Sequence, residues 1–418
     1  MLFQCLVFGR GEEGGKMLTS LAFIFLAGLG MAALCQKLKL PRIVGMLFTG
    51  ILLGPSVLNV LDDSILSISA DLRKMALIII LIKAGLSLNL ADLKKVGRPA
   101  VMMAFVPASF EILGFFLLAP YILGLTRIEA AVMGAVLGAV SPAVVIPRMV
   151  QLLESGYGTK KSIPQMILAG ASCDDIFVIV LFSTFVSMAQ GGSAHVSEFV
   201  NIPVSILLGI VVGAAAGYGL SWFFETAYAN KHCVRNSMKV LIVLGVSFLL
   251  IALEDWIKAL SGGLVSMSGL LAVVGMACVL KLKCTEFVSK RLSEKFGKLW
   301  LAAEVLLFVL VGAAVDIRCT MEAGGAALLM IAAALTFRAV GVCLCLLGTN
   351  LNRKEKIFCV IAYLPKATVQ AAIGSVPMAL GLPCGPLVLS VAVLAILITA
   401  PLGAIGMDVG YKKLLSKE

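Results

Sequence analysis

Long apolar stretches recur along this chain, separated by short charged intervals. Thirteen can be marked, near 17–35, 43–60, 74–90, 99–124, 128–147, 163–188, 200–223, 239–253, 259–280, 299–315, 323–348, 357–379 and 385–407. A helix needs about 20 such residues to cross the hydrocarbon core of a bilayer. Apolar and polar positions do not alternate within the stretches, so helices are predicted rather than the strands of a barrel. The pattern predicts an all-α polytopic membrane protein with about 13 transmembrane helices, filling 1–418 as one integral membrane domain. Residues 17–35 also have the length of a signal peptide, with Cys35 placed as a lipoprotein cysteine would be. Leu34 is a poor fit to the small residue such a cleavage site needs, so the stretch reads as the first span.

The intervals carry a second pattern. Alternate loops hold 24 of the 34 Lys and Arg residues on one side and 7 on the other, with Lys83, Arg338 and Lys366 inside spans. So uneven a split supports the span count. It predicts an N-terminus outside and a C-terminus in the cytoplasm, in a multi-pass protein of the cell membrane. The net charge of +11 is then a topology signal, not a nucleic-acid surface. Composition agrees, with 60% hydrophobic and 14% charged residues in 418, against about 25% charged in a soluble domain. Eleven cysteines form no CxxC pair, and His195 and His232 are the only histidines. No disulfide framework, zinc site or other cofactor is expected.

Spans one to six start outside and spans eight to thirteen start inside, which makes two inverted six-helix repeats joined by the seventh span. That seventh span carries Gly209, Gly213 and Gly217 four apart. Span five contains GAVLGAVSPAVVIP and its counterpart, span twelve, AYLPKATVQAAIG. A proline removes a helical hydrogen bond and frees carbonyls, so both should break. Paired broken helices at matched positions point to a midplane binding site.

The charges inside the spans are the candidate chemistry. Glu111 and Arg338 sit in matched spans with opposite signs, and a structural ion pair is the economical reading. Asp174 and Asp175 are adjacent in GASCDDIFVIVLF and point about 100° apart on a helix. One can face Lys366 while the other faces an aqueous funnel. Ionised together they would repel and be poorly solvated. A carboxylate so placed can hold a proton or a bare monovalent cation but not both, which is the minimum chemistry of exchange. The bland alternative is a hydrogen-bonded aspartate pair that only ties helices. Intramembrane ionisable residues argue for the functional one. Gly170, Ala171 and Ser172 allow a neighbouring helix close by. Ser141 and Thr368 flank the two prolines, and their hydroxyls and the freed carbonyls are candidates to complete a cation's oxygen shell. Lys83, near the end of its span, reads as snorkelling to the interface. Glu304 faces either a cavity or the cytoplasmic end of its helix.

LPRIVGMLFTGILLGP, AGLSLNL, ASCDDI, SPAVV, the Gly156–Gly158 loop and PKATVQAA, in this order, resemble the monovalent cation/proton antiporters of the sodium/hydrogen exchanger family, closest to the NHA-type branch. The resemblance implies a homodimer. Its core domain would come from spans near 99–188 and 323–407, and its dimerisation domain from spans near 17–90 and 239–315, with the span near 200–223 as linker. It implies that the broken helices cross, that Asp175 carries Na⁺, Li⁺ or H⁺, and that Asp174 pairs with Lys366. It implies a glutamate–arginine pair like Glu111 and Arg338, and elevator-like movement of the core. Many relatives carry Thr-Asp-Pro at the first break, where this chain has Val140-Ser141-Pro142, so their ligand sets do not transfer. Four other readings compete. A channel would show a filter motif. An aspartyl protease would need two aspartates from different helices. An organic-anion carrier would want a basic residue without a paired acid. A non-transporting regulator would keep the scaffold alone.

Overall fold

The computed structural model describes residues 13–87, 97–190, 196–231, 236–261 and 267–417. Lys94, Lys95, His195, His232 and parts of the stretches near 74–90 and 259–280 lie outside these residues. The described chain is built from α1 (Glu13–Lys37), α2 (Arg42–Leu53), α3 (Asp63–Ser67), α4 (Ser69–Ser87), α5 (Arg98–Met103), α6 (Val106–Ile122), α7 (Arg127–Gly138), α8 (Pro142–Ser155) and α9 (Ile163–Gln190). There follow α10 (Val196–Lys231), α11 (Asn236–Leu260), α12 (Gly269–Lys283), α13 (Glu286–Ala313), α14 (Ile317–Cys345), α15 (Arg353–Ala362), α16 (Thr368–Gly374), α17 (Val376–Ala379) and α18 (Gly385–Leu414).

Each of the thirteen apolar stretches overlaps a helix among the described residues, and those near 74–90 and 259–280 are described only in part. Among the described residues nine helical stretches are long and apolar enough to cross a membrane. The other four stretches fall on α2, α4, α12 and the interrupted α15–α16, so length alone does not return a count of thirteen.

Both predicted breaks are present, and the two interrupted helices start alike. At α7 the Thr126 hydroxyl accepts from Glu129 N–H while Glu129 accepts from Thr126 N–H. At α15, Asn352 and Glu355 do the same. Such reciprocal caps satisfy backbone donors that a helix start leaves open. Helix α7 stops at Gly138 and α8 restarts with Pro142 at its first position, where a missing N–H costs nothing. Helix α15 stops at Ala362 and α16 restarts at Thr368.

The closest packing sorts the helices. Helix α6 lies against α7 and α14, α9 against α7 and α8, and α18 against α14, α15 and α16. Separately, α13 packs on α2 and α4, α1 on α2, and α10 along α12. The last contact depends on the glycine series: a Cβ on Gly209 or Gly217 would meet Ser268 O or Met276 O at 2.6 Å, and one on Gly213 would run into Ala272. Large apolar side chains that remain exposed, such as Leu26, Leu207, Leu241 and Leu329, ring the outside where lipid would meet them. At one end Gly156 and Gly158 take positive φ, and Gly158 N–H donates to Ser416 O at 2.9 Å, tying the C-terminal tail to this turn.

Candidate functional site

The two breaks lie side by side. Ser141 N–H donates to Pro365 O at 2.8 Å, and Gln370 Nε2 donates to Ala139 O at 2.7 Å. A helix that stops inside a protein leaves carbonyls unpaired at a negative dipole end. Buried cations meet them here. Arg338, on α14, is fully buried. Its Nε donates to Tyr363 O at 2.5 Å, its Nη1 to Gly138 O and to Glu111 Oε2 at 2.7 Å, and its Nη2 reaches Asp174 Oδ2 at 3.3 Å. Lys366 Nζ donates to Ala139 O at 3.2 Å and to Glu111 Oε2 at 2.5 Å. Arg338 therefore joins α6, α9 and both breaks.

Helix α9 presents the aspartates from the other side. Asp174 Oδ2 accepts Val140 N–H at 2.6 Å, an open donor of the first break. Asp175 takes part in no salt bridge among the described residues. Four oxygens in this region are buried without a hydrogen-bond partner: Ser141 Oγ, Asp174 Oδ1, Asp175 Oδ1 and the Tyr363 hydroxyl. A buried polar atom left unpaired costs about 1–3 kcal/mol, so four together call for an explanation. The formal charges add one more. Glu111, Asp174 and Asp175 carry three negative charges when ionised, against two positive ones on Arg338 and Lys366. One monovalent cation or one proton balances the set.

Several expectations change. Lys366 is paired with Glu111, not with Asp174, whose basic partner is Arg338. Lys366 leaves the second break beside Thr399, which accepts its N–H at 2.9 Å, and this start directs its side chain across to α6. The Glu111–Arg338 pair is present, but it belongs to the cluster instead of standing apart as a brace. The carbonyls of Gly138, Ala139, Tyr363 and Pro365, expected to be free for a cation, are taken by protein donors. Ser141 and Thr368 are buried at the starts of α8 and α16 as the sequence suggests. Lys83 is half-buried, 5.7 Å over the Trp300 ring, with its charge drawn to Glu304 of α13.

Sequence reasoning missed Tyr363 and Gln370. Both lie inside the quoted AYLPKATVQAAIG, and a polar Gln370 in an apolar run was the available signal. Tyr363 has a further contact: a Cβ on Gly170, one turn before Asp174, would strike its hydroxyl. The small residue expected to admit a neighbour admits this ring.

Residues 21–407 match the family described as sodium/hydrogen exchanger, transmembrane. Sodium/hydrogen exchanger 9B2 of Homo sapiens is 33% identical over 430 aligned positions, which cover 100% of this chain and 74% of that protein. Sodium/hydrogen exchanger 9B1 of Homo sapiens is 31% identical over 433 positions, covering 98% of this chain and 81% of that one. The solved structure of the sodium proton antiporter MjNhaP1 from Methanocaldococcus jannaschii at pH 8 superimposes with a TM-score of 0.78 at 22% identity, covering 96% of this chain and 99% of that chain. The last likeness is one of fold.

Proposed function

The chain belongs to the sodium/hydrogen exchanger family of multi-pass membrane cation/proton antiporters, and from that premise we propose that it exchanges Na⁺ or Li⁺, with K⁺ as a further candidate, for H⁺ at Asp175. The observation that carries this reading is the buried carboxylate of Asp175, unpaired beside a cluster one positive charge short. Asp174 contributes its free Oδ1, and Ser141 Oγ is a third oxygen. Thr368 lies at the head of α16 as a fourth candidate. Arg338, Lys366 and Glu111 hold the two breaks in place around them.

Competition then follows from charge. A proton on Asp175 removes the deficit that attracts the cation, and a bound cation removes the site's need for the proton. We place the N-terminus outside and the C-terminus in the cytoplasm of the cell membrane, on the distribution of basic loops. We further propose a homodimer in which the helices around α6, α7, α9, α14 and α16 move as a core against those around α2, α4, α12 and α13. The packing in two groups supports an elevator of this kind. The organic-anion reading gains no support, because both cations at the site already have carboxylate partners. A regulator that does not transport has no use for the unpaired oxygens.

Proteoliposomes with an imposed pH gradient test the proposal. Addition of Na⁺, Li⁺ or K⁺ should dissipate the gradient for the wild type and leave it unchanged for Asp175→Asn. Equal dissipation by both proteins, or none with any of the ions in folded wild-type protein, would overturn it.

A further inference from the structure

Another buried cation lies outside this cluster. Arg73, in the first turns of α4, is 6% exposed. Its Nε donates to Ser69 O on its own helix at 3.2 Å, and its Nη1 is buried with no partner. Arg73 enters no salt bridge among the described residues. Asp71, two residues earlier, faces a different cavity between α4, α9 and α11. Burying a guanidinium without an anion is among the costlier things a chain can do.

Arg73 lines a cavity of about 850 Å³ where α2 and α13 end and α14 begins. Leu310, Val315, Ile317 and Met378 give it an apolar wall, and Arg318 stands at its exposed rim. The acid on this rim, Asp316, is exposed and accepts Arg318 N–H at 2.8 Å. Two arginines, one of them unpaired and buried, against an apolar wall fit an oxyanion on an amphiphilic body.

We propose that this cavity binds a phosphate-type oxyanion through Arg73. The planar fork of a guanidinium presents parallel N–H donors to two oxygens at once, a match that a halide does not offer. The volume takes a group far larger than a bare ion. The oxyanion is either the headgroup phosphate of a lipid, with its glycerol on the apolar wall, or free phosphate. An occupant would touch both α4 and α17, because Met378 and Ala379 line the same space.

The test uses the full chain in a phosphate-free buffer and a glycoside detergent, with unfolding followed by temperature. The additions are inorganic phosphate, phosphatidylglycerol and a phosphate-free galactolipid. Phosphate or phosphatidylglycerol should raise Tm by about 2 °C or more, and the galactolipid should not. A response to phosphatidylglycerol alone identifies the lipid headgroup, and a response to phosphate alone the soluble ion. Arg73→Met should abolish the response and, with no anion added, be at least as stable as the wild type, because it removes an unpaired buried charge. Arg73→Lys, which keeps the charge and loses the fork, should respond less. No response in the wild type, an equal rise with the galactolipid, or an undiminished response in Arg73→Met would overturn the assignment.

Discussion

Arg338 gives each of its three guanidinium nitrogens to a different structural element, and no other side chain at the site reaches so many. Removing it would strand Asp174 and leave Glu111 with Lys366 alone. Breaking a buried pair by deleting one partner costs about 3–5 kcal/mol, so Arg338→Met should lose stability on that scale in detergent, or fail to accumulate. The exchange of partners at Lys366 is finer and can be measured as a coupling. A double-mutant cycle of Lys366→Met with Glu111→Gln should give an interaction energy of about 1 kcal/mol or more, and the cycle with Asp174→Asn distinctly less. The reverse order would restore the Asp174–Lys366 pairing. Gly170 supplies a packing test at the same scale. Gly170→Ala should lower Tm and transport by striking the Tyr363 hydroxyl, and Tyr363→Phe should recover part of the loss in the double variant. Identical losses in the single and double variants would mean that the contact does not matter. The charged residues of this cluster were legible in the sequence, because an ionisable group in an apolar run stands out. Their pairing was not, because helix spacing fixes a residue's height and face but not which of two nearby acids a long, flexible lysine reaches.

The interrupted helices show how much of an element the sequence dictates. Pro142 and Pro365 mark both breaks, and the caps at Thr126 and Asn352 mark both starts. What the pattern could not give was the fate of the freed carbonyls. A proline announces that hydrogen bonds are lost, and only the fold decides whether an ion, a lysine or a glutamine replaces them. The glycines of α10 are a similar case. Their spacing shows a flat face, and the structure supplies α12 as the helix pressed on it. Gly213→Val should therefore push α10 from α12 and lower Tm by several degrees, by overpacking worth about 1–3 kcal/mol. A Cβ on Gly219 would meet nothing within 4 Å, and Gly219→Val on the same helix should leave Tm nearly unchanged. Equal effects would mean that helix propensity and not packing controls both sites. Length was the least legible property, since α2 and α12 are short helices within apolar stretches that continue past them.

At the scale of the molecule, α9 carries the aspartates and also borders α4 and α12 of the other packing group. Cys173 of α9 and Cys278 of α12 stand on two helices that meet at this boundary. If one group slides on the other during transport, joining these thiols should stop it. Treatment with Hg²⁺ should abolish exchange in the wild type and spare more of it in Cys278→Ser, where Cys173 can still react alone. Full exchange after complete bridging would rule out movement at this seam. The network around Arg338 bears on how an ion would be chosen. The carbonyls of Gly138, Ala139, Tyr363 and Pro365 are each held by a protein donor, so they are not at liberty to swing toward whatever arrives. An ion entering such a frame would have to trade its water for the oxygens the network leaves over, those of Asp174, Asp175 and Ser141. Selection would then rest on these side chains and not on backbone carbonyls closing around the ion.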